Sequence, residues 1–424
     1  MPEIPFPRGV KDLMPNEALF RNELLKRVED VFQRFGFAAI DTPTFEPLAV
    51  LNAKNAIGED TKLIYELKEE SLGLRYDFTV SLARYMAMHQ ELPMPFKRYQ
   101  IGKVWRREEP QKLRYREITQ ADIDIVGGVK ALADAEVIAA DAYALESIGI
   151  EYIIGINDRT LMEKVFEKLG MSGKLFVGAA RALDKMEKIG KDKVSDALRG
   201  LGIGDETVDG MIELAELSGS NEKKLAYVEK LLGDENAAKD LKDTLVALEQ
   251  YGMQGEAAVD FSLMRGLDYY TGIVFEFKAK MNPKGPSVGG GGRYDNLIGI
   301  YAGRPMPAVG AGLGIDRILD MLDYSSSTEC SYARVFVAYV KANNYNYALK
   351  VANTLRAGGV ATEINISSRN LANQLAHANS LKMRYVIIIG DVEEKSKKLK
   401  LRNLASGEEQ ILSLEEAIEL IKGV

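Results

Sequence analysis

The sequence predicts an α+β protein: antiparallel strands, an inserted block of helices, and a separate α/β domain at the C-terminal end. Three patterns carry that reading. Polar and apolar residues alternate with period two in the region from 96 to 128, and strand-like signals resume at Ile273 to Phe277 and in the stretch that carries glycines 310, 312 and 314. Between these regions, from about Thr160 to Gly252, Lys, Glu, Leu and Ala recur at helical spacing, broken by Gly170, Gly190, Gly200 and Gly204. Beyond Ser331, strand and helix patterns take turns, which is the signature of an α/β unit.

A chain of 424 residues is long for one core, so two or three domains are expected. Hydrophobic content of 46% and charged content of 28% belong to a soluble globular protein. No apolar run reaches the roughly 18 residues of a membrane span, and Met1 to Met14 carries three prolines and mixed charge, unlike a signal peptide. A single cysteine, Cys330, excludes an internal disulfide and a cysteine-rich zinc site, and points to a reducing cytoplasmic setting. The two histidines, His89 and His377, sit in an apolar segment and a helical pattern and are read as packing or surface residues. Chemistry built on a Ser-His pair or a histidine-ligated metal is therefore poorly supported, and arginines and carboxylates are the expected actors. Net charge is −7 but uneven: from Cys330 onward 13 basic residues face 9 acidic ones, which permits an anionic partner at that end.

In chain order, Leu19, Leu24, Val28, Val31, Phe32 and Phe35 mark an amphipathic helix that Gly36 ends. Phe37 to Ile40 enters a strand that meets Pro43 and Pro47, so it belongs at an edge, where a dimer seam could form. Leu74 to Val80 reads as a strand with Arg75, Asp77 and Thr79 on one face. Period two then puts Val104, Arg106 and Glu108 opposite Trp105 and Arg107. Pro110, Gln111 and Lys112 form a loop, and a strand returns through Arg114, Arg116, Ile118, Gln120, Asp122 and Asp124. The two make an antiparallel hairpin. Buried, Gln120, Asp122 and Asp124 need partners; in a cleft, they can grip cationic or N–H groups.

Met264 to Phe277 gathers Arg265, Asp268, Tyr269 and Tyr270 before a β-type run. Its plain reading is an edge strand entered through a charged turn; its functional reading is a place where an anion, a donor and a planar ring meet. Gly289 to Gly292, followed by Arg293, Tyr294 and Asp295, is either a flexible linker or a strand where backbone approaches a ligand. No Gly-Lys-Ser/Thr follows, so it is not a Walker loop. Glycines 310, 312 and 314 strip one strand face of side chains, and Asp316 and Arg317 open a helix; the dinucleotide-fold spacing is absent. Tyr324 to Ser331 reads as a Ser-rich linker. After it come strand 335–340, helix 345–355, strand 360–364, helix 371–381, strand 385–389, a hairpin around Ser406-Gly407 and a final helix.

Taken together, these motifs resemble the histidyl-tRNA synthetase family of class II aminoacyl-tRNA synthetases over nearly the whole chain. Pro43 matches the proline of the first class motif at the dimer seam. Trp105, Arg106 and Glu108 match the core of the second, and Gly310 to Arg317 the third. Arg265 to Tyr270 and Gly289 to Tyr294 resemble the two histidine-specific motifs. The resemblance implies a class II antiparallel-sheet catalytic domain at 1–325 with a helical insertion at 160–252, and an anticodon-binding domain at 332–424. It implies a cytoplasmic homodimeric ligase, with no membrane attachment, that joins L-histidine to ATP, assisted by Mg²⁺, and passes it to tRNA(His). Residue by residue, it implies that Arg106 and Arg265 attend the reacting phosphate and carboxylate. Arg317, Glu108 and Arg114 would serve ATP, with Glu108 near adenine or Mg²⁺. Asp77, Thr79 and Gln120 would hold the amino group, while Asp124, Tyr269, Tyr270 and Tyr294 line the imidazole pocket. Pro110, Gln111 and Lys112 would meet the tRNA acceptor end. Some family members carry Glu where this chain has Asp77 and Asp124.

Two rivals are weighed. The synthetase-like regulatory partner of ATP phosphoribosyltransferase typically lacks the C-terminal domain and the catalytic arginines, both present here. A synthetase for another amino acid is disfavoured by Arg265 to Tyr270.

Overall fold

The computed structural model describes residues 4–52, 62–68, 70–266, 269–322, 331–367 and 369–423. Asp268, Cys330 and almost all of the Ser-rich stretch lie outside these. Contacts divide the chain into two units: Met1–Lys11 with Leu24–Met321, and Asp12–Glu23 with Leu322–Val424.

The helix expected near the N-terminus is α1 (Pro15–Arg34), and Gly36 leaves it with φ +78°. The short strands β1 (Ala38–Ala39), β2 (Phe45–Pro47), β3 (Glu66–Leu67) and β4 (Leu72–Leu74) follow, with the single turn α2 (Leu48–Leu51) among them. Next come α3 (Thr79–Met88), the hairpin strands β5 (Phe96–Trp105) and β6 (Glu117–Val126), α4 (Lys130–Ser147) and β7 (Tyr152–Asp158). A run of helices from α5 (Arg159–Lys168) through α6 (Gly173–Leu183), α7 (Met186–Ile189), α8 (Lys191–Gly200), α9 (Asp205–Ala215) and α10 (Asn221–Leu232) to α11 (Lys239–Gln250) occupies the region read as helical. It is spliced between β7 and β8 (Ala257–Val259), which pair in parallel across the interruption. Asp158 starts α5 by accepting the backbone N–H of Thr160 at 2.7 Å. β9 (Ile273–Ala279), β10 (Gly289–Arg293), α12 (Leu297–Ala302), β11 (Ala308–Gly314) and α13 (Ile315–Met321) complete the unit.

Eight strands form one sheet in the order β1-β5-β6-β11-β10-β9-β7-β8. The six central strands are antiparallel; the parallel pairs β1–β5 and β7–β8 sit at the two edges. The short β1 is thus the edge its prolines suggested. The β9 stretch is not an edge: it pairs with β10 and β7. The four-glycine run is not a linker either. It is an interior strand, and a Cβ on Gly291 would overlap the Gly310 carbonyl, so glycine is what lets β10 and β11 close up.

The Ala-rich helix α4 packs on β6, β10 and β11. Small side chains let it lie close; Ala135, Ala139, Ala140, Ala142 and Ala144 are fully buried. Arg293, on β10, pairs with Asp134 of this helix at 2.6 Å.

Two local expectations change. Leu74 to Val80 is not one strand. β4 ends at Leu74, and the Asp77 carboxylate accepts the N–H groups of Thr79 (3.1 Å) and Val80 (3.3 Å), starting α3 instead. Arg75, expected beside Asp77, is buried on the Thr42 and Lys103 carbonyls. The returning hairpin strand begins at Glu117 rather than Arg114, because Leu113 takes a left-handed conformation (φ +63°) in the connecting loop.

The second unit holds a five-stranded sheet of β12 (Val335–Tyr339), β13 (Thr362–Ile364), β14 (Tyr385–Ile389), β15 (Leu399–Asn403) and β16 (Glu409–Leu412), in the order β13-β12-β14-β15-β16. Its helices are α14 (Tyr345–Ala357), α15 (Leu371–Ser380), α16 (Asp391–Ser396) and α17 (Leu414–Lys422). Ala348, Val351, Ala352 and Leu355 give α14 one buried face. Ser413 and Glu416 cap α17 reciprocally. His377, read as a packing or surface residue, lies 3.4 Å from Glu363 and against the Phe336 ring.

Candidate active site

One cavity in the sheet unit is lined by all twelve residues assigned above to the amino acid and ATP: Asp77, Thr79, Arg106, Glu108, Arg114, Gln120, Asp124, Arg265, Tyr269, Tyr270, Tyr294 and Arg317. They come from the start of α3, both ends of the β5–β6 hairpin, the segment before β9, the end of β10 and the start of α13. Pro110, Gln111 and Lys112 are not in the lining. They occupy the hairpin loop, where Gln111 and Lys112 are exposed and Gln111 bridges to Arg114.

The cavity is electrically divided. At one end stand Arg106, Arg114, Arg265 and Arg317. Arg106 is aimed by two acceptors, donating Nε–H to the Tyr76 carbonyl (3.1 Å) and Nη2–H to Gln120 Oε1 (3.3 Å). Arg265 rests 3.5 Å from Glu276 on β9. Arg114 pairs with Glu108 at 2.5 Å. Arg317 donates to the Ser287 carbonyl, while its Nε is enclosed without an acceptor. Burial pulls the Arg317 guanidinium below its ordinary range, and the charges of Arg106, Arg265 and Arg114 pull it further. Four cations that repel one another across a partly dehydrated space form a receptor for a multiply charged anion.

At the other end the acids collect. Asp122 and Asp124 are 6% and 3% exposed on the same face of β6. Asp124 accepts the Tyr294 hydroxyl and forms an ion pair with Arg98. Arg98 is its register partner on β5 and is fully enclosed, with none of its guanidinium nitrogens in hydrogen-bond geometry. Burial pushes Asp124 up to about 6, against the pull of Arg98 and Tyr294. Burial likewise pushes Asp122 up to about 8, with Arg98 opposing and Asp124 and Asp77 adding to the rise. Behind them, Asp141 of α4 is buried with neither carboxylate oxygen hydrogen-bonded, and its carboxyl is held well above the usual range by burial and these two acids. Tyr269 and Tyr270 stack obliquely, ring centres 4.4 Å apart.

Glycines make room for this wall. A Cβ on Gly310 would overlap the Asp124 carboxylate, and one on Gly312 would overlap that of Asp122. Sequence reading had the bare glycine face but not its purpose, which is to admit acids from the neighbouring strand. It also passed over Arg98 and Asp141. Arg98 was findable: continuing the hairpin register back from Trp105 and Glu117 brings it opposite Asp124. Asp141 had no local signal. Among the described residues no cluster of three or more His, Cys, Asp or Glu side chains could hold a metal ion, and no helix is long and apolar enough to cross a membrane.

Residues 9–318 match the family model described as histidyl-tRNA synthetase, and residues 334–423 match that of an anticodon binding domain. A histidine–tRNA ligase of Korarchaeum cryptofilum is 37% identical over 407 residues, 94% of each chain. One from Aeropyrum pernix is 37% identical over 425 residues, covering 98% of this chain and 97% of that one. The crystal structure of histidyl-tRNA synthetase from a Nostoc species superposes with a TM-score of 0.88 at 30% identity, covering 99% of both chains.

The Arg98 ion pair yields a prediction with a defined sign. Asp122 and Asp124 have folded pKa values of about 8 and about 6, above their ordinary 3.8, so folding takes up protons and stability falls as pH rises through that window. Arg98→Met removes the opposing cation and widens the window. The variant should lose about 3–5 kcal/mol near pH 8, and the gap in thermal unfolding from wild type should narrow as pH falls to 5. A gap independent of pH would assign Arg98 a packing role only.

Proposed function

The chain belongs to the histidyl-tRNA synthetase family, and from that premise we propose that it is a histidine–tRNA ligase. It activates L-histidine with ATP to histidyl-adenylate and pyrophosphate, then transfers histidine to the 3′ end of tRNA(His). The observation that carries the reading is one cavity with four guanidinium groups at one end and enclosed acids with tyrosines at the other.

The first step displaces pyrophosphate from the α-phosphorus by the histidine carboxylate. It demands positioning and charge neutralisation rather than a protein nucleophile. Arg106, fixed by Tyr76 and Gln120, holds the α-phosphate and the attacking carboxylate. Arg265 meets the same developing charge, with Glu276 setting its direction. Arg317 and Arg114 take the remaining phosphates and the adenine side. Arg114 is paired with Glu108, and an arriving triphosphate competes for it. Glu108, the carboxylate in this cavity beside the arginines, would hold Mg²⁺ brought with the nucleotide, and the ion would supply further neutralisation of phosphate charge.

Asp77 and Thr79, fixed at the first turn of α3, and Gln120 hold the amino group. Asp124 and Tyr294, already bonded to each other, read the imidazole nitrogens, and Tyr269 and Tyr270 enclose the ring. Polar readout of this type rejects analogues lacking the partner by about 10⁴–10⁵. Residues 1–325 form the catalytic domain with its insertion at 160–252, and 332–424 the anticodon-binding domain. The excess of basic residues from Cys330 onward suits phosphate contacts, and the loop of Pro110, Gln111 and Lys112 meets the acceptor end, a reading that the exposure of Gln111 and Lys112 supports. The protein acts as a homodimer in the cytoplasm, which sedimentation and fractionation test.

ATP–pyrophosphate exchange with each of the twenty amino acids should respond to histidine alone; exchange with another amino acid and none with histidine refutes the substrate. Arg265→Ala should slow adenylate formation by about 10²–10³ while ATP binding changes little. Equal losses in rate and ATP affinity would make Arg265 a ground-state binding residue.

A further inference from the structure

We propose that Asp122 is a further residue of the amino-acid subsite, receiving the substrate's ammonium group between Gln120 and Asp124. This deepens the reading of the cavity as a histidine-activation site and rests on it.

Asp122 lines the cavity although only 6% exposed, and its Oδ1 has no hydrogen-bond partner. Enclosed carboxylate oxygens are normally satisfied, because leaving one bare is costly. Its neighbours on the same face of β6 are engaged: Gln120 accepts from Arg106, and Asp124 holds Tyr294 and Arg98. Asp122 is left over between them. The bare Cα of Gly312 on β11 clears the space its Oδ1 occupies, so the strand pairing makes a seat for this carboxylate.

Position selects the ligand group. An amino acid with its carboxylate at Arg106 and its ring at Asp124 and Tyr294 spans the residues on either side of Asp122. Its α-carbon, and with it the ammonium, falls midway. Asp77 offers the ammonium a second acceptor from the start of α3.

The charge balance agrees. The charged groups acting on Asp122 are Asp77 before α3, Arg98 and Arg106 of the β5 strand and its end, Asp124 of β6, and Asp141 of α4. Acids outnumber cations. Burial first, then Asp124 and Asp77, push Asp122 up to about 8 despite Arg98, so near pH 7 the empty site keeps a proton there. An arriving ammonium favours the ionised form and sends that proton to solvent.

The test uses the full-length protein and the isosteric variant Asp122→Asn, which still fills the space over Gly312. Histidine is compared with imidazole-4-propionate, which has the ring and the carboxylate but no ammonium. Wild type should prefer histidine strongly. Asp122→Asn should shrink that preference by about tenfold or more, the worth of one charge-assisted hydrogen bond. It should do so by raising KM for histidine, with the inhibition constant of imidazole-4-propionate and KM for ATP nearly unchanged. An unchanged preference overturns the proposal. Wild-type protein without any histidine-dependent exchange overturns the underlying reading instead. Should the variant not fold, calorimetric titration of wild type with histidine at pH 7, in buffers of different ionisation enthalpy, decides. Release approaching about one proton per site supports the proposal, and no release or net uptake overturns it.

Discussion

Repulsion of the enclosed Arg317 guanidinium by Arg106, Arg265 and Arg114 is the constraint on which the cavity depends. Like charges gathered in a partly dehydrated space oppose each other more strongly the less water screens them. Such a cluster persists only where the scaffold holds each group separately. Tyr76 and Gln120 hold Arg106, Glu276 holds Arg265, Glu108 holds Arg114, and the Ser287 carbonyl holds Arg317. The anchors come from different strands and loops, so the cluster cannot relax by moving one element. An anionic substrate offsets this repulsion, and the gain counts toward catalysis where negative charge grows in the transition state.

The opposite end of the cavity solves the complementary problem. Asp122 and Asp124 are enclosed beside Arg98, with Asp141 buried behind them, more acids than that one cation balances. The two ends together impose a direction. A zwitterionic amino acid with a basic ring finds cations for its carboxylate and acids for its ammonium and imidazole, and the reverse orientation is opposed at both ends. Strand β6 carries this gradient along one face, from Gln120 beside Arg106 to Asp124 beside Arg98. The glycines of β11 are the structural condition for it, since any side chain at Gly310 or Gly312 would occupy the space the acids use.

Much of this was legible in the residues. The hairpin, the helix ending at Gly36, the inserted helices and the α/β alternation after Ser331 follow from periodicity and turn chemistry, which are local. The twelve cavity residues were legible because motif matching fixes identity together with position. What failed was judged on too short a window. Leu74 to Val80 alternates as a strand would, yet Asp77 captures two backbone N–H groups and starts a helix, so a local hydrogen bond outweighed period two. The glycine run stayed open between linker and strand because nothing in one strand tells that its neighbours need the space. Arg98 and Asp141 matter through contacts made across strands and between sheet and helix, and composition does not report those.

The arginine cluster is a liability in the protein without nucleotide and an asset only with the nucleotide bound. Thermal unfolding of wild type and Arg317→Gln, with and without saturating ATP and Mg²⁺, tests it most directly. Removing one of four repelling charges should leave the empty variant at least as stable as wild type. It should also cut most of the stabilisation that ATP confers, which reaches about 2.7 kcal/mol for a ligand at a hundred times its Kd. A variant less stable when empty that keeps the full ATP-induced shift would contradict the account.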